Sequence, residues 1–524
     1  MSLCLSEIII ESAKRFPDET ALINNEERIS YRDLRKQVLS VAAYLKSIGV
    51  GRGDTVALMC GNMPEFTIAY FGVLASGATL VTLNSLLVAD EIAYQLENSQ
   101  SVGVISEAES LEAVLEGASR AECCEWIVLA DRIVPAEAQG AQVQAKLGDL
   151  LEKFDPLERC ELTNPDDTAV ILYTSGTTGH PKGAELTHFN LWENARQISE
   201  RLFAANDGEI SLIGPGHVAI AALPLYHTFG QTCVQNALLT NGGAVTYLKR
   251  FDPEDCAKII ARDRVTILDA VPTIYTALLH CDSVDPSSLQ CLSYGVSGGA
   301  ALPLEVRSAF EAKFKMELQE GYGLTETSPV ASAQVRWRER KIGSIGCPIE
   351  GVEMKIFDDD DNEVSPGSEG EVVIRGRNIM KGYLNQPEAT AKVMRNGWFH
   401  SGDVGKMDEE GHFYIVDRKK DMIIRGGYNV YPREVEEVLY AHPDIAEACV
   451  IGVPDEKYGE EVKAVVTLMP SAKTAPEEIV EYCKKHVAAY KYPRVVEVVA
   501  EIPKGPTGKI LKREVRRIFT DAKV

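Results

Sequence analysis

Residues 168–183 read Thr-Ala-Val-Ile-Leu-Tyr-Thr-Ser-Gly-Thr-Thr-Gly-His-Pro-Lys-Gly. The apolar run Thr168–Tyr173 predicts a buried strand. A Gly/Thr/Ser loop comes next, and a helix is predicted around Leu191–Leu202. Glycines open backbone conformations closed to other residues, so the N–H groups of such a loop can converge on an anion. The hydroxyls of Thr174, Ser175, Thr177 and Thr178 and the ammonium of Lys182 add further donors, with Gly176 between them. The spacing is not that of a Walker A loop, because Pro181 precedes the lysine and Gly183 comes after it. The stretch reads as a phosphate-gripping loop at the end of a core strand.

The same alternation continues outward. His217–Leu223 repeats the strand signal, Val265–Ala270 precedes a helical pattern at Thr273–Leu279, and Leu292–Val296 leads through Gly298-Gly299 to a helix at Leu304–Phe314. Strand-then-helix repetition predicts an α/β fold of parallel sheets covered by helices. After about residue 345 the pattern shifts to strands at Val352–Phe357 and Glu371–Arg375, separated by an acidic turn at Asp358–Asp361. That turn lacks the Gly and Glu of an EF-hand loop and reads as a solvated turn. A strand at Phe413–Val416 meets five consecutive charges, Asp417-Arg418-Lys419-Lys420-Asp421, which read as a linker rather than core. Beyond it, a hairpin around Gly426-Gly427, a helix opened by Pro432, strands at Ala448–Val453 and Lys463–Leu468, a helix at Glu477–Ala489 and a strand at Arg494–Val499 form an α+β unit. The expected layout is a large N-terminal domain of βα-layered sheets over 1–417, a hinge at 418–420, and a small mobile cap over 421–524.

Composition narrows the function. The chain has 524 residues, 54 Lys+Arg against 77 Asp+Glu, and a net charge of −23. So long a chain exceeds what one core supports. The acidic balance argues against wrapping nucleic acid or polybasic attachment to lipid. Residues 421–524 carry 16 Lys+Arg and 17 Asp+Glu, so the acid excess lies almost wholly in residues 1–420. Within the last stretch Lys504, Lys509, Lys512, Arg513, Arg516 and Arg517 face only Glu514, which makes this end the place to look for a bound anion. Twelve cysteines without a C-x-x-C pair predict reduced thiols. No signal peptide, membrane-spanning run or peroxisomal ending is read in the chain, so a cytoplasmic enzyme is expected. A homodimer and peripheral membrane association are both compatible with the sequence.

Further motifs come after the loop in order: Gly321-Tyr322-Gly323-Leu324-Thr325-Glu326-Thr327, Gly343–Gly351, His400-Ser401-Gly402-Asp403, Asp417–Lys420 and Pro506-Thr507-Gly508-Lys509. Together with the Pro-Lys-Gly loop, this set resembles the adenylate-forming superfamily of acyl-CoA synthetases, firefly-luciferase-like enzymes and peptide-synthetase adenylation domains. The resemblance covers nearly the whole chain. It implies ATP, Mg²⁺ and coenzyme A as ligands and a carboxylic acid as substrate.

The resemblance also implies roles. Thr174, Ser175, Gly176, Thr177, Thr178 and Lys182 match the triphosphate loop. Thr325 matches the position that contacts the α-phosphate, and Glu326 the magnesium ligand. A single carboxylate suits Mg²⁺, which keeps most of its waters. Tyr322 offers a ring for adenine, with Gly321 and Gly323 allowing close approach. Gly298, Gly299 and Ala300 match the other wall. Asp403 matches the ribose-hydroxyl acceptor, helped by Arg418. His227, in Leu223–Gly230 with Phe229 beside it, matches the wall that steers the carboxylate. Lys509 matches the lysine that neutralises charge between carboxylate and α-phosphate. Lys420 matches the residue about which the small domain rotates, bringing Gly427 to the site for thioester formation.

Three functions compete: an acid–CoA ligase, a module loading a separate carrier protein, and a nucleotide-binding regulator. The absence of a carrier segment after Lys509 favours CoA, and the set Lys509, Glu326 and Asp403 argues against a non-catalytic regulator. A luciferase-type oxidation is a rare specialisation of the same chemistry. No acidic residue occurs between Ile213 and Gln231, which disfavours an α-amino acid, and no added Arg in the Tyr322 motif pairs with a second carboxylate. Gly298, Gly299, Gly323 and Ala331 are read as leaving room for an extended tail. Residues 417–439 look most like bacterial medium- to long-chain fatty-acid ligases, with 4-coumarate-type aryl ligases as the runner-up. One departure is Glu320, where many relatives carry Gln; it is read as making the rim before Gly321 more acidic.

Overall fold

The computed structural model describes residues 3–131, 143–174, 181–202, 204, 213–470 and 472–520. The larger part of the chain is built on two mixed sheets. In the first, of eight strands, Thr168–Thr174 lies between Thr79–Thr82, which runs parallel to it, and Lys182–Thr187, which runs antiparallel. The second has nine strands, and at its centre Val218–Ala221, Ile267–Ala270, Tyr294–Ser297 and Leu318–Gly323 run parallel in that order. Helix Pro64–Ala75, buried along all 12 of its residues, packs in the core shared by both sheets. A helix apolar on every side has no face to offer water and belongs in such a place. Among the described residues no helix is long and apolar enough to cross a membrane.

The strand at Thr168 runs one residue further than its apolar run, to Thr174. The helix expected around Leu191–Leu202 is present, but an unforeseen strand precedes it. The chain returns as the strand Lys182–Thr187, with Thr174 opposite Lys182, so the glycine-rich segment joins two antiparallel strands. In the returning strand Ala184 and Leu186 are fully buried and Glu185 between them is less so, an alternation too short to read beside the glycines. Only then does helix His188–Gln197 start, with Thr187 Oγ1 accepting from Asn190 N and Asn190 Oδ1 from Thr187 N.

A third, antiparallel sheet holds Val352–Phe357, Gly370–Gly376, Trp398–Met407 and Phe413–Arg418. The final unit has its own five-stranded sheet, including Ile423–Arg425, Ile445–Asp455 and Gly459–Leu468. Its separate core gathers around Val435, Leu439, Val450 and Ala464. Helices Pro432–Tyr440, Pro476–His486 and Lys512–Phe519 complete it.

The charged run is less exposed than expected. Lys419 and Lys420 are exposed, but Asp417 and Asp421 at its ends are 7% and 8% accessible. Arg418 ends the strand Phe413–Arg418, in register with Asp403, and Lys419 N donates to Gly402 O. Asp421 Oδ1 pairs with Arg516 of the last helix. Asp417 Oδ2 accepts from Arg433 N at 3.0 Å, in the first turn of helix Pro432–Tyr440. Reciprocally, Glu437 of that helix accepts from Leu304 N at 3.2 Å, at the start of helix Leu304–Phe314. Each unit therefore caps a helix of the other. Buried carboxylates are stable in such a run because each finds a donor.

Candidate functional site

The carboxyl ends of parallel strands are where open α/β sheets bind ligands, and the predicted residues gather there. Ser297 ends one strand, and Gly298, Gly299 and Ala300 come directly after it; the next strand ends through Gly321, Tyr322 and Gly323 into Thr325 and Glu326. Gly299 has φ +77°, a conformation that favours glycine.

One cluster centres on Asp403, which is 3% accessible. Tyr322 Oη donates to its Oδ2 at 2.6 Å, and Arg418 Nε lies 3.1 Å from its Oδ1. Hydrogen bonds to a charged group contribute about 1.5–3 kcal/mol each, so the phenol and guanidinium are fixed without a ligand. Burial, with Asp403 beside it, pushes the Tyr322 phenol well above its ordinary value. The Asp403 charge raises the Arg418 guanidinium further.

A second cluster centres on Glu326. Tyr383 Oη donates to Glu326 Oε1 at 2.7 Å, and Lys182 Nζ lies 5.1 Å from the centre of the Tyr383 ring. Tyr383 was not singled out by the sequence; alone, a tyrosine after Gly382 looks like any packed aromatic. The donor set fits a hard cation such as Mg²⁺, with one oxygen of a single carboxylate held by the phenol and the other without a hydrogen bond among the described residues. Thr174 Oγ1 donates to Lys182 O across the hairpin at 3.4 Å. Ser175, Gly176, Thr177 and Thr178 lie outside the described residues.

His227 and Lys509 meet from distant parts of the chain. Phe229 N donates to His227 Nδ1 at 3.3 Å, and the Phe229 ring occupies the space beside Gly298, 3.0 Å from where a Cβ would stand. Burial, followed by the nearby Lys509 charge, pushes the His227 imidazole down to about 4. Burial and then Arg418 push the Lys509 ammonium down to about 8. The lysine loop is seated by Thr273 Oγ1, which donates to Gly508 O at 2.9 Å, and a Cβ at Gly508 would stand 2.8 Å from that hydroxyl. Of the basic tail, Lys504, Lys512, Arg516 and Arg517 pair with Glu447, Glu436, Asp421 and Glu514. Lys509 has no ion-pair partner among the described residues.

Two expectations change. Glu320 does not make the rim acidic: it is 4% accessible and paired with Arg307 at 2.9 Å. Gly323 leaves no space for a tail, because the Pro329 carbonyl lies where its Cβ would be. Its glycine is required by the returning strand Val330–Ala333. Lys420 is exposed beside the cluster, within the electrostatic surroundings of Lys509. Gly427 is exposed on its hairpin, and among the described residues no hydrogen bond joins it to the strand-end site.

The strand ends thus gather a buried aspartate holding a tyrosine and an arginine, a carboxylate held by a second tyrosine, and a lysine from the C-terminal loop. Residues 9–384 match the family described as AMP-binding enzyme, and residues 434–509 its C-terminal domain. The chain belongs to the AMP-binding enzyme family. This enzyme is 38% identical over 97% of its length to a long-chain-fatty-acid–CoA ligase of Bacillus subtilis (strain 168), 93% of which is covered. It is 36% identical over 97% of its length to a feruloyl-CoA synthase of an Amycolatopsis species, 98% of which is covered. Its fold superposes on ATP-bound MatB from Rhodopseudomonas palustris with a TM-score of 0.88 at 29% identity, covering 99% of each chain.

Proposed function

We propose that this enzyme is an ATP- and magnesium-dependent acid–CoA ligase that activates a fatty acid as acyl-AMP and transfers the acyl group to CoA, releasing pyrophosphate and AMP. The observation that carries the reading is the approach of Lys509 to Asp403, Arg418 and His227 at one sheet edge. The similarity to fatty-acid–CoA ligases supports the choice of acid.

In adenylation a carboxylate oxygen bonds to the α-phosphorus and the bond to pyrophosphate breaks. Two anions must approach, so cationic charge is needed where they meet. Lys509 supplies it there, Thr325 donates to the α-phosphate, and Lys182 with the hydroxyls of Ser175, Thr177 and Thr178 holds the departing phosphates. Glu326 would hold Mg²⁺, which would supply charge neutralisation for the phosphates. Asp403 and Arg418 receive the ribose, and Tyr322 flanks adenine against Gly298, Gly299 and Ala300. His227 is held neutral at physiological pH, so beside Phe229 it orients the carboxylate without pairing with it as a cation. The thiol of CoA then attacks the acyl carbonyl and AMP leaves. That step calls for Lys509 to withdraw and Gly427 to approach, by rotation of the small unit about Lys420.

The similarity to a feruloyl-CoA synthase favours an aryl acid as the second reading. A cytoplasmic setting fits the twelve free cysteines. The test is pyrophosphate release and CoA acylation with acids from butanoate to octadecanoate and with aryl acids. An acid that drives both supports the ligase. If no acid releases pyrophosphate the reading fails; pyrophosphate without acyl-CoA transfers it to carrier loading.

A further inference from the structure

Beyond His227 and Phe229 the chain runs through Gly230–Asn236, seven buried residues wound in wide helical turns. Several polar atoms here are unmet: Thr228 Oγ1, Gln231 Oε1 and Thr232 Oγ1 have no hydrogen-bond partner among the described residues. Asp269 adds a carboxylate oxygen, Oδ2, in the same condition, on a side chain that is 2% accessible. Alternation along Ile267–Ala270 puts Asp269 on the face of Ile267. Ile267 shares its core with Cys233 and Val234, whereas Leu268 and Ala270 pack into the core on the opposite face. The charge of Asp269 is felt at Cys233, in the middle of the wide helical segment.

Asp269 also adjoins the residue that holds the strand-end glycine Gly298. The next residue, Ala270, accepts from Gly298 N at 3.1 Å, and Gly298 is the glycine against which Phe229 packs. No ion pair reaches Asp269 among the described residues, and burial alone pushes its carboxyl up to about 7. About nine in ten buried polar atoms in proteins have a partner. Four acceptor-bearing side chains, three in the segment that follows His227 and one whose charge reaches that segment, are thus left for a donor from outside the protein.

We propose that Asp269, with Gln231 and Thr232, is a specificity-determining site that receives a hydroxyl group on the tail of the acid, so that hydroxylated carboxylic acids are preferred over their plain counterparts. The proposal rests on the acid-activating reading. Aryl and alkyl tails share this chemistry and differ in shape. No covalent step is involved: the substrate hydroxyl donates to a carboxyl oxygen.

The test compares adenylation kcat/KM for two matched pairs, 4-hydroxycinnamate against cinnamate and ω-hydroxydodecanoate against dodecanoate. It uses the full chain and its Asp269→Leu and Asp269→Asn variants. The expected result is a preference of about tenfold or more for the hydroxylated member of one pair, since a site built to bond a hydroxyl rejects an acid without it. Asp269→Leu should abolish that preference while still activating the plain acid, and Asp269→Asn, which keeps an acceptor oxygen, should retain most of it. Which pair responds identifies the tail as aryl or alkyl. Equal wild-type rates within both pairs, or a preference unchanged in the Leu variant, would overturn the proposal. If the Leu variant does not fold, the wild-type ratios and the Asn variant still decide it. Failure of every acid to release pyrophosphate would instead overturn the ligase reading itself.

Discussion

The Asp403 cluster of the large unit and the lysine loop of the small one are built on opposite plans. Asp403 is buried and doubly bonded, holding Tyr322 and Arg418 in place. Lys509 has no ion-pair partner among the described residues and is seated through a neighbouring carbonyl, by Thr273 on Gly508. On the proposed reading, the groups that receive ATP are fixed in advance, which removes reorganisation from binding. In the proposed reaction the group that meets developing charge belongs to the C-terminal unit, and it has no ion-pair partner among the described residues. Its lowered affinity for a proton comes from burial and then from the Arg418 charge.

The largest expected effect breaks the contrast at its mobile side. Lys509→Ala should slow pyrophosphate release by about 10²–10³-fold, the scale of removing one charge-stabilising donor. Thioester formation from supplied acyl-AMP should change little. Equal loss of both half-reactions, measured by rapid quench, would refute the division of labour. On the fixed side, Asp403→Ala releases both Tyr322 and Arg418; kcat/KM for ATP should fall about ten- to a hundredfold, with the loss mainly in KM. A comparable loss in acyl-AMP formation at saturating ATP would show that Asp403 acts on the chemical step instead.

Acidity separates the two regions further. With the Lys509 ammonium at about 8 in the free enzyme, the active cation is present below that pH and lost above it. Adenylation kcat/KM should therefore fall as pH rises through about 8, and steady-state profiles of the half-reaction would reveal a flat limb if Lys509 is not the group involved. The smallest effect tests the seat of the loop. Thr273→Val removes one neutral hydrogen bond, so adenylation should drop about two- to tenfold with thioesterification unaltered.

The sequence was most informative where chemistry and chain order coincide. The parallel strands of the second sheet, the helix Leu304–Phe314 and the gathering of the Tyr322, Asp403 and Lys509 motifs come from alternation and motif order. It was least informative where a partner far along the chain decides the outcome. Glu320 looks like a rim acid until Arg307 is found beside it. Gly323 looks like room for a ligand until Pro329 fills the space. Tyr383 acquires meaning only from Glu326, and Asp417 looks exposed until Arg433 N is seen to use it. The return strand Lys182–Thr187 was hidden because its glycine interrupts the period that marks a strand.

The exchanged helix caps have a consequence for the order of events. Asp417 serves the helix Pro432–Tyr440 and Glu437 serves the helix Leu304–Phe314 only while the two units face each other as they do here. A cap contributes about 0.5–2 kcal/mol, so turning the small unit away gives up both at once and leaves two helix starts unserved. Without ligands, the two caps favour the arrangement described here. In the proposed cycle, a thiol arriving first would meet an enzyme facing the wrong way. Substrate addition in that cycle would thereby be sequenced by two carboxylates outside the strand-end site.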